Sequence, residues 1–464
     1  MNKLFFLSFL LMISVTDAQQ LRLKKGVVID QIEMVTDSTA TYTLYLPQEF
    51  TMNQKWPLLF VFDPEGNGKR AVELFKDVAE KYDFIVVASN QIKNDVLEKN
   101  LARFDKLSLE IGKTYPIQTT RIFTAGFSGG ARLATTIAVI TRKIEAVIAC
   151  GASFSTDVVY YPKRPDFYFI GLVGNEDFNY IEMESAQQYL DARRIPNELT
   201  TFKGGHNWPE AKHIEEAFKW IQLRYLTKLN KLEKEELLAA YQEDLREADR
   251  LARFDKENAI ENLTRIRKNY APELDTDSLK KKIRLLKRDP LYKARIKKDK
   301  TATWEEEDLR SMYALYFRDD LDSLNFDNLG WWESQLQQID SFTTSNDFYK
   351  KRTGKRLKSL LYTAAREVAM TQKDSTDSEK WLYANIFMTL ADKKQEEAYF
   401  NVIGHAAKKL NYDMALFYTE ELFRNGFTDL KSLKNIPGAS IFFVSPAYQE
   451  LEEQYFEDKK SGFE

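Results

Sequence analysis

Between Val27 and Phe202, short β-rich runs alternate with helix-forming stretches. The runs are TYTLYLP, PLLFVFD, FIVVAS, RIFTAG, AVIACG and FYFIGLVG. The later ones are nearly continuous in apolar residues, which suits strands buried on both faces. The segments between them, around Arg70–Tyr82, Asn100–Lys113, Ala131–Arg142 and Ile181–Arg193, have the length and periodicity of crossover helices. This alternation predicts an α/β domain over 19–226, a mostly parallel sheet sandwiched by helices. From about Leu223 the pattern changes. KLNKLEKEELLAAYQEDLREADRLARFDKENAIENL is rich in charge and in good helix formers, its apolar residues recur at helical spacing, and no strand-rich stretch follows. Residues 227–300 are read as a charged helical connector and 301–464 as an all-α domain, with breaks near Asp289–Pro290 and Ser345–Asn346.

At 464 residues the chain exceeds a single ordinary core, in keeping with two domains. Its 67 Lys and Arg against 70 Asp and Glu leave no overall field to gather nucleic acid or an anionic membrane, so neither partner is expected. The opening MNKLFFLSFLLMISVTDAQQ places Lys3 before an apolar run from Leu4 to Val15, with Thr16 and Ala18 following. It reads as a secretory leader over 1–18 cut after Ala18; the competing membrane anchor has too few apolar residues to cross a bilayer comfortably. The single cysteine, Cys150, excludes an internal disulfide framework and lies far from the leader, so no lipid-modified cysteine is expected at the cleavage site. It ends an apolar run and is read as core filler.

The candidate chemistry sits in RIFTAGFSGGARLA, where a strand-like run ends at Gly126-Phe127-Ser128-Gly129-Gly130 and a helix-forming stretch begins. This is a G-x-S-x-G pattern in strand-turn-helix context, where the turn pushes the serine hydroxyl outward and side chains at the glycines would collide with neighbouring backbone. The Gly129 N–H then stands free at the helix start to stabilise an oxyanion. A serine needs a base, and the chain has three histidines. His206, in FKGGHNWP, follows the strand-like ELTTF and precedes a helix at Glu210–Tyr225, on the edge where such a sheet presents its chemistry. His213 falls on that helix and His405 in the helical half, where both read as surface or packed residues. LVGNEDFNY supplies the acid that would orient His206: Asp177, with Glu176 as the alternative, Asn175 and Asn179 being turn residues.

The chain order Ser128, Asp177, His206 is that of the α/β-hydrolases. On these motifs the segment Lys25–Leu226 resembles that superfamily, specifically the small esterases akin to polyhydroxybutyrate depolymerases, feruloyl esterases and dienelactone hydrolases. The resemblance implies an esterase acting through an acyl-enzyme, without cofactor or metal. Where that family reads His-Gly-x-Gly after its third strand, this chain has Asp63-Pro64-Glu65-Gly66. Pro64 has no N–H, so the equivalent oxyanion donor is the N–H of Glu65. Asn90 (with Ser89 before it), Ser153 and Trp208 follow strand ends on the same edge and are expected to line the substrate pocket, with packing under the loop as the alternative for Trp208.

In the C-terminal half, EAYFNVIGHAAKKLNYDMALFYTEELFRNG looks like a tetratricopeptide helix pair, with Tyr399 and Val402 on its first helix and Ala415 on its second. Generic antiparallel helices remain the alternative. Trp331 and Trp332 are expected in the core. The expected activity is an exported serine hydrolase acting on a small-molecule or polymer-linked ester. The alternative is a hydrolase-fold scaffold whose helical half binds a protein partner.

Overall fold

All seven residues of the strand Trp56–Phe62 are buried, and they alternate between two cores. Leu58, Phe60 and Phe62 join one apolar cluster, whereas Leu59 and Val61 join the other. That is the period-two geometry of a strand covered on both faces. The computed structural model describes residues 24–229, 231–372 and 379–456, and the leader-like run 1–18 lies outside the described residues.

In chain order the first half comprises β1 (Val28–Met34), β2 (Asp37–Tyr45), β3 (Trp56–Phe62), α1 (Gly68–Tyr82), β4 (Ile85–Ser89), α2 (Leu97–Thr114), β5 (Ile117–Phe127), α3 (Gly129–Thr141), β6 (Ala146–Cys150), β7 (Tyr168–Gly174), α4 (Tyr180–Ala192), β8 (Asn197–Phe202) and α5 (Ala211–Lys228). One sheet takes the order β1-β2-β4-β3-β5-β6-β7-β8. Neighbours from β4 to β8 pair in parallel, and β2 runs against both of its partners. Apolar residues of α2, α3 and α4 cover one face, those of α1 and α5 the other. This is the expected α/β class. The added edge strand β1 escaped prediction because VIDQIEM does not alternate cleanly. Its register shifts between Ile29 and Ile32, around Gln31 at φ 56°, as at a bulge.

The second half is helical: α6 (Lys234–Leu251), α7 (Lys256–Tyr270), α8 (Asp277–Arg288), α9 (Pro290–Ser323), α10 (Leu329–Thr343), α11 (Phe348–Thr371), α12 (Glu379–Ala391), α13 (Glu396–Lys408), α14 (Tyr412–Arg424), α15 (Leu430–Lys434), α16 (Ser440–Phe443) and α17 (Pro446–Phe456). The breaks near 289 and 345 fall at helix starts. Asp289 caps α9 by accepting from the Tyr292 N–H ahead of Pro290, and Asp347 caps α11 by accepting from Tyr349 and Lys350. Residues 227–300 do more than connect. Leu237, Ala248, Leu263, Ile266, Tyr270 and Leu279 share a core with α1 and α5, and Tyr270 meets Trp220 edge-on at 5.6 Å. Most of their charged residues are exposed, which is why the sequence reads as a charged connector, although Arg265 pairs with buried Glu198 and Asp244 with Lys219.

Trp332, Tyr313, Phe387 and Leu357 centre a cluster on α9 to α12, with Trp331 packed against it. Tyr399 and Ala415 join a second cluster on α13 to α17, and Val402 is also buried. Among the described residues no helix is long and apolar enough to cross a membrane.

Leu263 is fully buried. Leu263→Ala is expected to destabilise the protein by about 2–5 kcal/mol, the usual cost of a buried Leu-to-Ala cavity. Denaturant unfolding measures it; a loss near zero would mean that α6 to α8 only connect the two halves.

Candidate active site

Ser128 stands alone between β5 and α3, at φ 52° and ψ −121°. A non-glycine residue there carries about 1–3 kcal/mol of strain, so its surroundings must impose the conformation. They do. The Ser128 N–H donates to the Cys150 carbonyl at 2.9 Å, and the Ser128 carbonyl accepts from the Ala131 and Arg132 N–H groups. A Cβ on Gly126 would lie 2.3 Å from the Gly130 carbonyl, and one on Gly130 would lie 2.1 Å from the Phe62 carbonyl. Both glycines are therefore required by the close passage of β5, α3 and β3. Cys150 is fully buried, which pushes its thiol pKa up and matches its expected role as filler.

The loop after β8 brings His206 to this turn. Its Nε2 lies 3.0 Å from Ser128 Oγ, and its Nδ1 lies 2.9 Å from each carboxylate oxygen of Asp177. Asp177 is fully buried and also accepts from the Asn179 N–H at 2.8 Å. The imidazole is held between Phe127 and Phe178, with ring centroids at 4.6 and 4.3 Å. Glu176, the alternative acid, turns away to pair with Lys355 at 2.7 Å, while its N–H donates to the Gly204 carbonyl. Gly174 lets the acid and base loops meet, since a Cβ there would lie 2.3 Å from the Gly204 carbonyl. The other histidines are elsewhere: His213 stacks on Phe202, and His405 is buried in α13 beside Trp381.

Gly129 begins α3, so its N–H has no carbonyl partner within the helix and sits at the positive end of the helix dipole. The Glu65 N–H differs from expectation. It donates at 2.8 Å to Asp63 Oδ1 and is therefore engaged rather than free. Asp63 is buried and also accepts from the Asn67 N–H and from Trp208 Nε1, the latter at 3.1 Å. Trp208 is thus a tie between the base loop and the 63–67 loop, packed on Phe127 and edge-on to Phe75.

Ser153 is a correction. It is buried, and its hydroxyl and N–H both donate to Glu182, which Arg132 grips with two nitrogens; a short residue after a strand here braces α3 against α4 instead of facing a pocket. Asn90 lines a polar cavity of about 360 Å³ with Glu65, Gly66, Asn67 and Asp30, and its side chain bonds to Thr41, Thr43 and Asp30. Sequence reasoning missed Asn94, whose amide lies against the Gly129 Cα, 2.0 Å from where a Cβ would stand. It also missed Phe178. Asn94 is brought in from a loop 35 residues upstream with no periodic signal, whereas Phe178 adjoins the predicted acid and could have been found there.

No family model and no curated protein matches the chain. Among solved structures it is similar to S-formylglutathione hydrolase from Staphylococcus aureus, at 13% identity over 43% of this chain and 98% of that one, with a TM-score of 0.35. It is likewise similar to a ferulic acid esterase, at 16% identity over 42% and 96% with a TM-score of 0.35. A third is an esterase from Pyrobaculum calidifontis, at 11% identity over 43% and 86% with a TM-score of 0.35. The class of the first half, an α/β-hydrolase-like domain, stands on its own sheet order and on the Ser128 turn.

Two measurements check these contacts. Trp208→Phe deletes the donor to Asp63 Oδ2, and an unpartnered buried acceptor costs about 1–3 kcal/mol in denaturant unfolding; an unchanged midpoint would mean that the tie is idle. Burial pushes the Glu182 carboxyl up, but Arg132 and the Ser153 donors outweigh it and hold the pKa below its ordinary 4.5. A carboxyl depressed in the folded state stabilises above its unfolded value, and that contribution is lost as pH falls through the folded one. Thermal melts of Glu182→Gln should therefore show a shallower loss of Tm than the wild type below about pH 5, and equal slopes would contradict the pairing.

Proposed function

We propose that the chain is a serine hydrolase that cleaves carboxylic esters through an acyl-enzyme, with Ser128 as nucleophile, His206 as base and Asp177 as the acid that orients it. The observation that carries this reading is the continuous hydrogen-bonded chain from Ser128 Oγ through His206 to buried Asp177, set on a strained strand-to-helix turn. His206 Nε2 takes the hydroxyl proton as Ser128 Oγ bonds to the acyl carbon, and the carbonyl oxygen becomes an oxyanion facing the Gly129 N–H. The tetrahedral species collapses, and the alcohol leaves with the proton from His206. Water, deprotonated in turn by His206, attacks the acyl carbon, releases the acid and returns the proton to Ser128. Asp177 fixes the tautomer and faces the imidazolium.

The substrate is a small-molecule or polymer-linked ester. The leader-like run Leu4–Val15 supports an exported protein. One observation favours the scaffold reading, in which a partner binds the helical half: the Glu65 N–H is held by Asp63. Under the hydrolase reading this N–H turns from Asp63 to the oxyanion when the acyl group arrives.

Turnover of p-nitrophenyl acetate by the mature chain decides between them. Ser128→Ala and His206→Ala are expected to abolish it above background, and Asp177→Asn to lower kcat by roughly 10⁴, as in other serine triads. A folded wild type that does not hydrolyse the ester, or a Ser128→Ala variant that does so normally, would favour the scaffold.

A further inference from the structure

The loop that carries Asp177 is gripped by the helical half. Arg356 of α11 donates from Nη1 to the Asn175 carbonyl at 3.1 Å, and its neighbour Lys355 donates to the Glu176 carboxylate at 2.7 Å. Arg310 of α9 donates from Nη2 to the Phe178 carbonyl at 2.5 Å. Three of the four residues from Asn175 to Phe178 are thus tethered from outside the sheet, and the remaining one is Asp177.

The guanidinium groups are themselves aimed. Glu306 of α9, fully buried, accepts from Arg356 Nε and Nη2 and from Arg310 Nη1, with Thr353 Oγ1 as a further donor. A buried ion pair is costly to desolvate and is weak evidence for stability by itself. Here its unspent N–H groups end on two main-chain carbonyls that flank Asp177. The Arg356 guanidinium also lies over the Tyr180 ring at 4.8 Å, which continues the grip into α4. About 15 Å further along α11, Arg366 pairs at 3.1 Å with Glu65, beside the Asp63 turn. Both partners there are half exposed, so that contact adds little.

We propose that Arg356 and Arg310, oriented by Glu306, are positioning residues for Asp177, so that the helical half is a working part of the hydrolase site. This rests on the hydrolase reading above. The carboxylate reaches both oxygens to His206 only while residues 175–178 keep their path, and a displacement of about 1 Å at such a site lowers turnover by up to about 10²-fold.

The test uses the full chain. Glu306→Gln/Arg356→Met removes the Arg356 grip together with its counter-charge and leaves an amide oxygen to accept from Arg310 Nη1, so that no buried carboxylate is left unpaired. Lys355→Met removes a partly exposed tether and carries little folding risk. Lys358→Met, also on α11, breaks the Lys358 pair with Asp340 of α10 and is the control. The double variant is expected to lose about 10- to 100-fold in kcat for p-nitrophenyl acetate with KM unchanged. Amide exchange should quicken at 175–180 and not across the sheet; Lys355→Met should show a smaller loss of the same kind, and Lys358→Met none. A folded double variant with wild-type kcat and unchanged exchange at 175–180 overturns the proposal, as does an equal loss in Lys358→Met. If the wild type does not hydrolyse the ester, the hydrolase reading fails separately, and exchange alone then decides whether the helical half holds this loop.

Discussion

The turn at Ser128 sets the terms for the rest of the site. Its backbone enters a region that a serine avoids, and it stays there because β5, α3 and β3 pass too closely for any side chain at Gly126 or Gly130. The N–H of Ser128 is taken by β6 through Cys150, and its carbonyl opens α3. One hydroxyl is thereby projected beyond the sheet, next to the first free N–H of a helix. Every other functional group has to be brought to that fixed point.

They arrive on loops that are bonded to one another. The acid and base loops share the contacts Asn175 N–H to Phe202 carbonyl and Glu176 N–H to Gly204 carbonyl. Trp208 ties the base loop to Asp63, and Asn94 donates its N–H to the Pro64 carbonyl, bracing the same turn from the other side. Loops built this way lose less freedom when substrate binds, which is how a scaffold presents loop-borne groups accurately. The unusual member is Asp63. Its buried carboxylate accepts from the Glu65 and Asn67 N–H groups as well as from the Trp208 indole, so one side chain closes the 63–67 turn and ties it to the base loop.

The site was legible where chemistry is carried by local pattern. Strand, tight glycine turn and helix marked Ser128; a post-strand acid and a post-strand histidine in the right order marked Asp177 and His206, and the geometry brings these three together. Buried strands β3 to β7 were legible because they bury both faces. Contacts between segments far apart were not. Ser153 was read as a pocket residue because nothing local reveals Glu182, 29 positions on, as its partner. Residues 227–300 read as a charged helical connector because their charges outnumber the few apolar positions that complete the α1 and α5 core. The Arg356 and Arg310 contacts span more than 130 positions, and an arginine in a helix carries no mark of its target.

The proposed hydrolase stands or falls with the activation of Ser128 as a nucleophile. Intact and peptide mass spectrometry after reaction with a fluorophosphonate measures this most directly, because the adduct forms only where a base has withdrawn the serine proton and persists for mapping. One adduct per chain is expected, on the peptide containing Ser128, and none in His206→Ala. A folded chain that stays unmodified, or an adduct on a different serine, would contradict it.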